Sequence, residues 1–462
     1  MNFTVYCKDN APAPDLSRLA HCLTGEGDWD ILCVAGDPSS PMAAAGACRR
    51  GKWDFALTLL FLSPKAEKTE LLSELLDHLV EALALEEHPG RLCLWTSRIL
   101  SGFAEDIRAL FPTQAEGGVL TRPLSWNDIT DVPGVRVGQV TKEEGAHHTG
   151  VTVILPCSGN IYERKPVGAS FVLNGFGKTM GTIQLEELGT LETPIALTNT
   201  LCVGRAADGL VTYTLREGEK RGARITTVNP VVGETNDGTI SAIEDRVIAP
   251  EDVLAAIDRA GKHPQLGCVG AGTGTICFGL KGGIGSASRR IRIGQDTYTL
   301  GALVQTNFGR LPDLVIRGVP VGKKILERQK GEAPLSPEKG SVMVVLGTDL
   351  PLTARQLRRV LKRAGAALAR LGSYYGQGSG DVFLGFSSGN CHPDGNGPAL
   401  QTLSCLPENE MDLVFRPAVE AVEEAILRSL LFAGRRTARD GTVIHALFEY
   451  ADLLPDGILT LF

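Results

Sequence analysis

Lys339-Gly-Ser-Val-Met-Val-Val-Leu-Gly-Thr-Asp349 sets a glycine and a serine at the junction between a polar segment and an unbroken apolar run, Val342–Leu346. A short, valine-rich run of this kind reads as a buried strand. Upstream, roughly Lys323 to Gly340 is polar and proline-containing, which predicts an exposed loop. Downstream, Thr353 is placed to cap a helix carrying Leu357, Val360, Leu361 and Ala364 on one side. The basic residues on that helix, Arg355, Arg358, Arg359, Lys362 and Arg363, read as its solvated face. A strand, Asp381-Val-Phe-Leu-Gly-Phe386, precedes a second helix from about Pro417 through Ala433, with Val419, Val422, Ile426 and Leu430 inward. Strands and helices on both sides of a polar excursion imply sheets covered by helices.

From Asn127 onward the chain alternates short apolar strands with glycines, as in Val135–Gly138, Gly150–Pro156 and Ser170–Gly175. A helix with a caplike start is expected at Pro250–Ala260. Residues 1–118 read as a separate small α/β domain, with residues 119–462 as the second domain. In the first, Asp30–Ala35, Phe55–Leu62 and Leu92–Thr96 look like strands, and the leucines between Ala66 and Leu85 recur at helical spacing. The polar stretch Pro112–Gly118 separates the two domains, and no catalytic constellation is visible before it.

With 43% hydrophobic and 21% charged residues, the composition is that of a globular enzyme. The net charge is a modest −7, and no basic stretch with interleaved aromatics suggests nucleic acid as a partner. No apolar run reaches the roughly 18 residues of a membrane span, and the N-terminus lacks signal-peptide character. A cytoplasmic location is therefore the expectation. The 11 cysteines are scattered singly, without a C-x-x-C pair, so neither a disulfide framework nor a structural zinc site is expected.

Several apparent motifs fail on spacing. Asn174-Gly-Phe-Gly-Lys-Thr179 has a GKT but Val172 where a phosphate-binding loop needs glycine. Gly385-Phe-Ser-Ser-Gly389 fits G-x-S-x-G, yet a loop at Asn390–Gly395 is expected where a nucleophile elbow needs a helix, which argues against Ser387 as nucleophile.

Five segments set polar side chains in a glycine frame: Gly233-Glu-Thr-Asn-Asp-Gly238, Lys281-Gly-Gly-Ile-Gly-Ser-Ala-Ser-Arg289, Val304-Gln-Thr-Asn-Phe-Gly-Arg310, Lys339–Asp349 and Gly376-Gln-Gly-Ser-Gly-Asp381. Singly, each is explained as a turn or a strand end. Together and in this order they resemble the L-aminopeptidase D-amidase/D-esterase (DmpA-like) family of peptidases. That family includes the β-aminopeptidases and, more distantly, nylon-oligomer endo-hydrolases. The resemblance extends to Asp128–Gly138, His148–Thr152 and Phe415–Ile426, and so runs from about Asn127 to the C-terminus.

The resemblance implies a four-layer αββα fold, with the small α/β domain of residues 1–118 added before it. It also implies a precursor that cuts itself between Gly340 and Ser341, and a homotetramer of processed chains. Ser341 is then the nucleophile, Asn307 the oxyanion asparagine, and Ser379 and Asp381 the polar partners of the nucleophile's amine and hydroxyl. Lys281 matches a lysine near the site in some members, with a structural salt bridge as the other reading. Where many members carry a tyrosine near Glu234, this chain has Asn236, which either donates from its amide or caps a turn; both are candidate substrate-binding residues. No cofactor is implied.

The residues fit that chemistry. Gly340 has backbone freedom closed to other residues, which lets the Ser341 hydroxyl reach the preceding carbonyl. A freed α-amine titrates near about 7.7–8.0 and is partly a neutral base at cellular pH. Two alternatives remain: a nylon-oligomer-type endo-amidase using the same residues, and an uncut, non-enzymatic homologue acting as a binding protein.

Overall fold

The computed structural model describes residues 127–330, 338–394 and 400–459, and of residues 1–126 the backbone of seven strands. The chain divides into two compact units, Met1–Trp126 and Asn127–Phe462.

The first unit holds a sheet of β1 (Phe3–Cys7), β2 (Ile31–Asp37), β3 (Ser40–Arg49), β4 (Asp54–Leu62), β5 (Arg91–Trp95), β6 (Thr113–Ala115) and β7 (Val119–Pro123), in the order β1-β2-β3-β4-β5-β7-β6. β2, β4 and β5 fall on the three strands expected from sequence. The helix expected between residues 66 and 85 lies outside the described residues. β6 falls in the polar stretch read as a separator and pairs with β7.

The second unit is mixed α/β. A four-stranded sheet is built from β8 (Arg136–Glu144), β9 (His147–Leu155), β11 (Ile195–Asn199) and β12 (Val231–Thr235), and β10 (Arg164–Gly175) joins a second sheet. After the short ribbon β13 (Ile276–Cys277) and β14 (Leu280–Lys281) come β15 (Ile284–Ile293), β16 (Asp296–Asn307), β17 (Lys339–Thr348) and β18 (Gly378–Pro393). The second sheet runs β10-β18-β17-β16-β15, with β17 central, antiparallel to β16 and parallel to β18.

Alternation along these strands sorts side chains into separate cores. Met343 and Val345 of β17 meet Leu197 and Val231 of the four-stranded sheet. Val342 and Val344 face the other way, onto a core shared with Leu357, Val360 and Leu361 and with Val422, Ile426 and Leu430. On the far side of the four-stranded sheet, Val151, Val153, Ala196 and Val232 pack against Ala206 and Leu210 of the helix Val203–Glu219 and Val253 of the helix Pro250–Asp258. Burying both faces of β17 explains its unbroken apolar run.

Thr353 caps the helix Ala354–Leu361, its hydroxyl accepting from Gln356 N–H. The second expected helix begins earlier than the sequence suggests, spanning Asp412–Leu431 with Pro417 inside. The ring costs little there, because the carbonyl it leaves unpaired belongs to Leu413, a first-turn residue that is itself exposed. β18 continues through Asn390–Pro393, where a loop is expected, because its ladder with β10 carries on to Pro393. Among the described residues no helix is long and apolar enough to cross a membrane.

Candidate active site

The site forms at one end of β16, β17 and β18. Ser341 lies directly across from Asn307 on β16 and from Gly380 on β18. By alternation its side chain shares the face of Met343 and Val345, between the sheets. Asn307 shares that face with Leu303 and with Gln305, whose amide donates to Thr198 O and Thr235 Oγ1 of the four-stranded sheet. Ser341 is 4% exposed and Asn307 half-buried. Ile276 N–H donates to Asn307 Oδ1 at 3.0 Å. That bond fixes the amide and leaves its Nδ2 as the available donor.

Gly340 explains why the serine is preceded by glycine. Its φ is +137°, and a Cβ there would come within 2.0 Å of Asn307 O. Both the conformation and the space exclude a side chain. Gly340→Ala is therefore expected to displace the Gly340–Ser341 peptide from Asn307 and slow any cut at this bond by roughly tenfold or more. Intact and cut chain are followed on denaturing gels over time, and a variant cut as fast as the parent would contradict this.

Ser379 and Asp381 lie on the opposite face. They share the parity of Phe383, in the core under the helices, whereas Val382 and Leu384 face the inter-sheet core. The two side chains are joined as their spacing suggests, Ser379 Oγ donating to Asp381 Oδ1 at 2.9 Å, and both are fully buried. No hydrogen bond links either to Ser341 Oγ among the described residues. Burial pushes the Asp381 carboxyl up to about 7; the Ser379 hydrogen bond offsets this in part, and the Glu338 carboxylate nearby adds to it. Asp381 Oδ2 has no hydrogen-bond partner among the described residues.

The folded chain thus holds the Asp381 proton up to about pH 7, whereas the unfolded chain releases it near 3.8. Its contribution to stability is full below pH 3.8 and is lost as pH rises through 7. In uncut chain kept so by Ser341→Ala, Asp381→Asn should raise the melting temperature at pH 8 and leave it nearly unchanged at pH 4. Equal or lower melting at pH 8 would show that the buried carboxylate carries no such penalty.

Glu234 is buried at the end of β12, its Oε1 accepting from Lys178 N–H at 2.9 Å and its Oε2 from the Thr200 hydroxyl. The loop it holds crosses Gly380, where a Cβ would meet Phe176 O at 2.6 Å. Glu234 thereby fixes the backbone that passes over the strand beside Ser341. Asn236 is exposed and accepts from Gly238 N–H at 3.0 Å, so it caps a turn. Lys281 is fully buried, donating to Gly272 O at 3.0 Å and Gly282 O at 2.7 Å, with no ion pair among the described residues. Burial lowers its pKa to about 8. It pins the turn leading into β15, which replaces the salt-bridge reading of this lysine.

Ser387, in the G-x-S-x-G stretch, lies within β18 and donates to Leu350 O at 2.6 Å. It sits on no elbow. Glu338, which belongs to none of the five motifs, is 1% exposed although its segment is polar and expected to be exposed. Nothing local marks it, because its partners lie at Ser373 and Tyr374.

Residues 127–444 match the model of peptidase family S58. The chain belongs to that family. It is 38% identical over 348 residues to the β-peptidyl aminopeptidase BapA of Sphingosinicella microcystinivorans, covering 71% of this chain and 86% of that protein. Among solved structures, the PH0078 protein of Pyrococcus horikoshii OT3 is 46% identical, with a TM-score of 0.66 over 71% of this chain and 92% of that one. The L-aminopeptidase D-Ala-esterase/amidase of Ochrobactrum anthropi, described as a variant of the Ntn hydrolase fold, is 31% identical, with a TM-score of 0.64 over 76% of this chain and 99% of that one. This S58 member is thus an enzyme, a hydrolase of the aminopeptidase type, and the five motifs point to its own family.

Proposed function

We propose that this S58 member is a self-processing serine aminopeptidase/amidase. It removes N-terminal residues from short peptides, amino-acid amides or esters through an acyl-enzyme on Ser341. The observation that carries the reading is the start of β17, where a glycine that tolerates no side chain presents Ser341 abreast of Asn307 on one face.

In the precursor, Ser341 Oγ attacks the Gly340 carbonyl carbon, the C–N bond breaks, and the hydroxyl proton ends on the departing nitrogen. Water then hydrolyses the resulting ester, leaving a Gly340 carboxylate and a free Ser341 hydroxyl and α-amine. In turnover the amine, titrating near about 7.7–8.0, takes the hydroxyl proton as the serine attacks a substrate carbonyl. The developing oxyanion accepts from Asn307 Nδ2. The amine lies in the plane of the sheet, between the face of Asn307 and the face of Ser379 and Asp381. The carboxylate therefore serves the amine rather than the hydroxyl, orienting it and offsetting its charge once protonated. Glu234 shapes the wall beside Gly380, and Asn236 and Lys281 hold the turns around the site.

The three cores described above support a four-layer αββα arrangement for the peptidase domain, with residues before it forming a separate domain. A homotetramer of cut chains in the cytoplasm is the assembly and location we propose. Denaturing electrophoresis with N-terminal sequencing tests the reading. The 49.2 kDa chain should give bands of about 36 and 13 kDa, the smaller beginning at Ser341. A single full-length band after long incubation would overturn self-processing.

A further inference from the structure

Glu338 makes a set of contacts that the start of an ordinary strand does not require. Its Oε1 accepts from Ser373 Oγ at 2.6 Å and its Oε2 from Tyr374 N–H at 3.0 Å, while its own N–H donates to Tyr374 Oη at 2.7 Å. Its carbonyl oxygen lies 2.4 Å from where a Gly376 Cβ would stand, so that position is closed to any side chain. Burying a carboxylate is costly unless it is held by strong hydrogen bonds, and here both oxygens are so held. The next two residues, Lys339 and Gly340, pair in register with Gly378 and Ser379. Side chain and backbone of Glu338 are thus anchored to residues 373–376, and every anchor lies on the far side of the Gly340–Ser341 bond in sequence.

We propose that Glu338 is the positioning residue for self-cleavage, its clamp on Ser373 and Tyr374 fixing the register of Lys339–Gly340 so that the Gly340 carbonyl is held for the Ser341 hydroxyl. The inference rests on the reading of Gly340–Ser341 as the cut site. It assigns no bond-making role to Glu338. The carboxylate acts through the backbone it anchors, and a small misplacement of a reacting carbonyl is enough to slow attack strongly. What the clamp needs is reach and two polar ends rather than charge.

That distinction gives the test. Cleavage half-times are measured by denaturing electrophoresis for the parent chain, Glu338→Gln, Glu338→Asp, Glu338→Leu and Ser373→Ala. Glu338→Gln keeps the length, an acceptor for Tyr374 N–H and a donor for Ser373 Oγ, so it should slow cleavage about threefold or less. Glu338→Asp keeps the charge but is one methylene short, and with Glu338→Leu it should slow cleavage roughly tenfold or more. Ser373→Ala, which leaves Glu338 intact, should also slow it. Melting of each variant in the Ser341→Ala background establishes that it folds; if Glu338→Leu does not, the Gln, Asp and Ser373 variants decide the matter. Parent rates throughout, or Glu338→Asp cutting well while Glu338→Gln fails, would overturn the proposal. An uncut parent chain would instead overturn the cut-site reading on which it rests.

Discussion

Ser341→Ala is expected to persist as one 49.2 kDa chain and to hydrolyse amino-acid amides at least about 10⁴-fold more slowly than the cut enzyme. Two losses coincide in this variant. The hydroxyl that would attack Gly340 is gone, so no α-amine is released to act as base. The hydroxyl that would attack substrate is gone with it. Groups that act as a unit lose nearly everything when one is removed, so adding Asp381→Asn to Ser341→Ala should lower the residual rate little further. Mass spectrometry of the incubated protein and a fluorogenic amino-acid amide provide the two readouts. Substantial activity in Ser341→Ala would move the chemistry to another nucleophile.

Asn307→Asp is expected to lower kcat by about 10²–10³ while the protein still folds. The reason lies in how the side chain is already used. Its Oδ1 accepts from Ile276 N–H, a bond that aspartate can keep, so the turn at Ile276 stays supported. The replaced atom is Nδ2, and an oxygen there offers the developing oxyanion a like charge instead of a donor. Asn307→Ala confounds the two effects, because it also strands the Ile276 N–H at a cost of about 1–3 kcal/mol. A KM that rises with kcat unchanged would place Asn307 in substrate binding rather than in oxyanion stabilisation.

Much of this site is legible in the amino-acid sequence. The serine behind a glycine at the head of a valine-rich strand is a local pattern, and the structure places Ser341 at the beginning of β17. The two-residue spacing of Ser379 and Asp381 predicts a shared side, and they are hydrogen-bonded to each other. Thr353 as a cap is likewise local. Other features depend on which partners the fold supplies, near or far along the chain. Lys281 is held by carbonyls of Gly272 and Gly282 rather than by an acid, and no property of its own segment announces this. The burial of Glu338 comes from residues 35 and 36 positions later.

The face on which each residue acts has the same limit. Alternation along one strand says which residues of that strand agree with one another, because side chains repeat every second residue. It cannot relate two strands, since a shift of one residue in pairing would turn every side chain of the partner over. The sequence by itself determined that Ser341 is a glycine-preceded serine opening a buried strand, in a chain with the ordered motifs of family S58. Only the tertiary register decided that Asn307 stands on its side of the sheet while Ser379 and Asp381 stand on the other. That register is fixed by two different cores pressing on opposite faces of β17, a balance written across the whole domain rather than within any one segment.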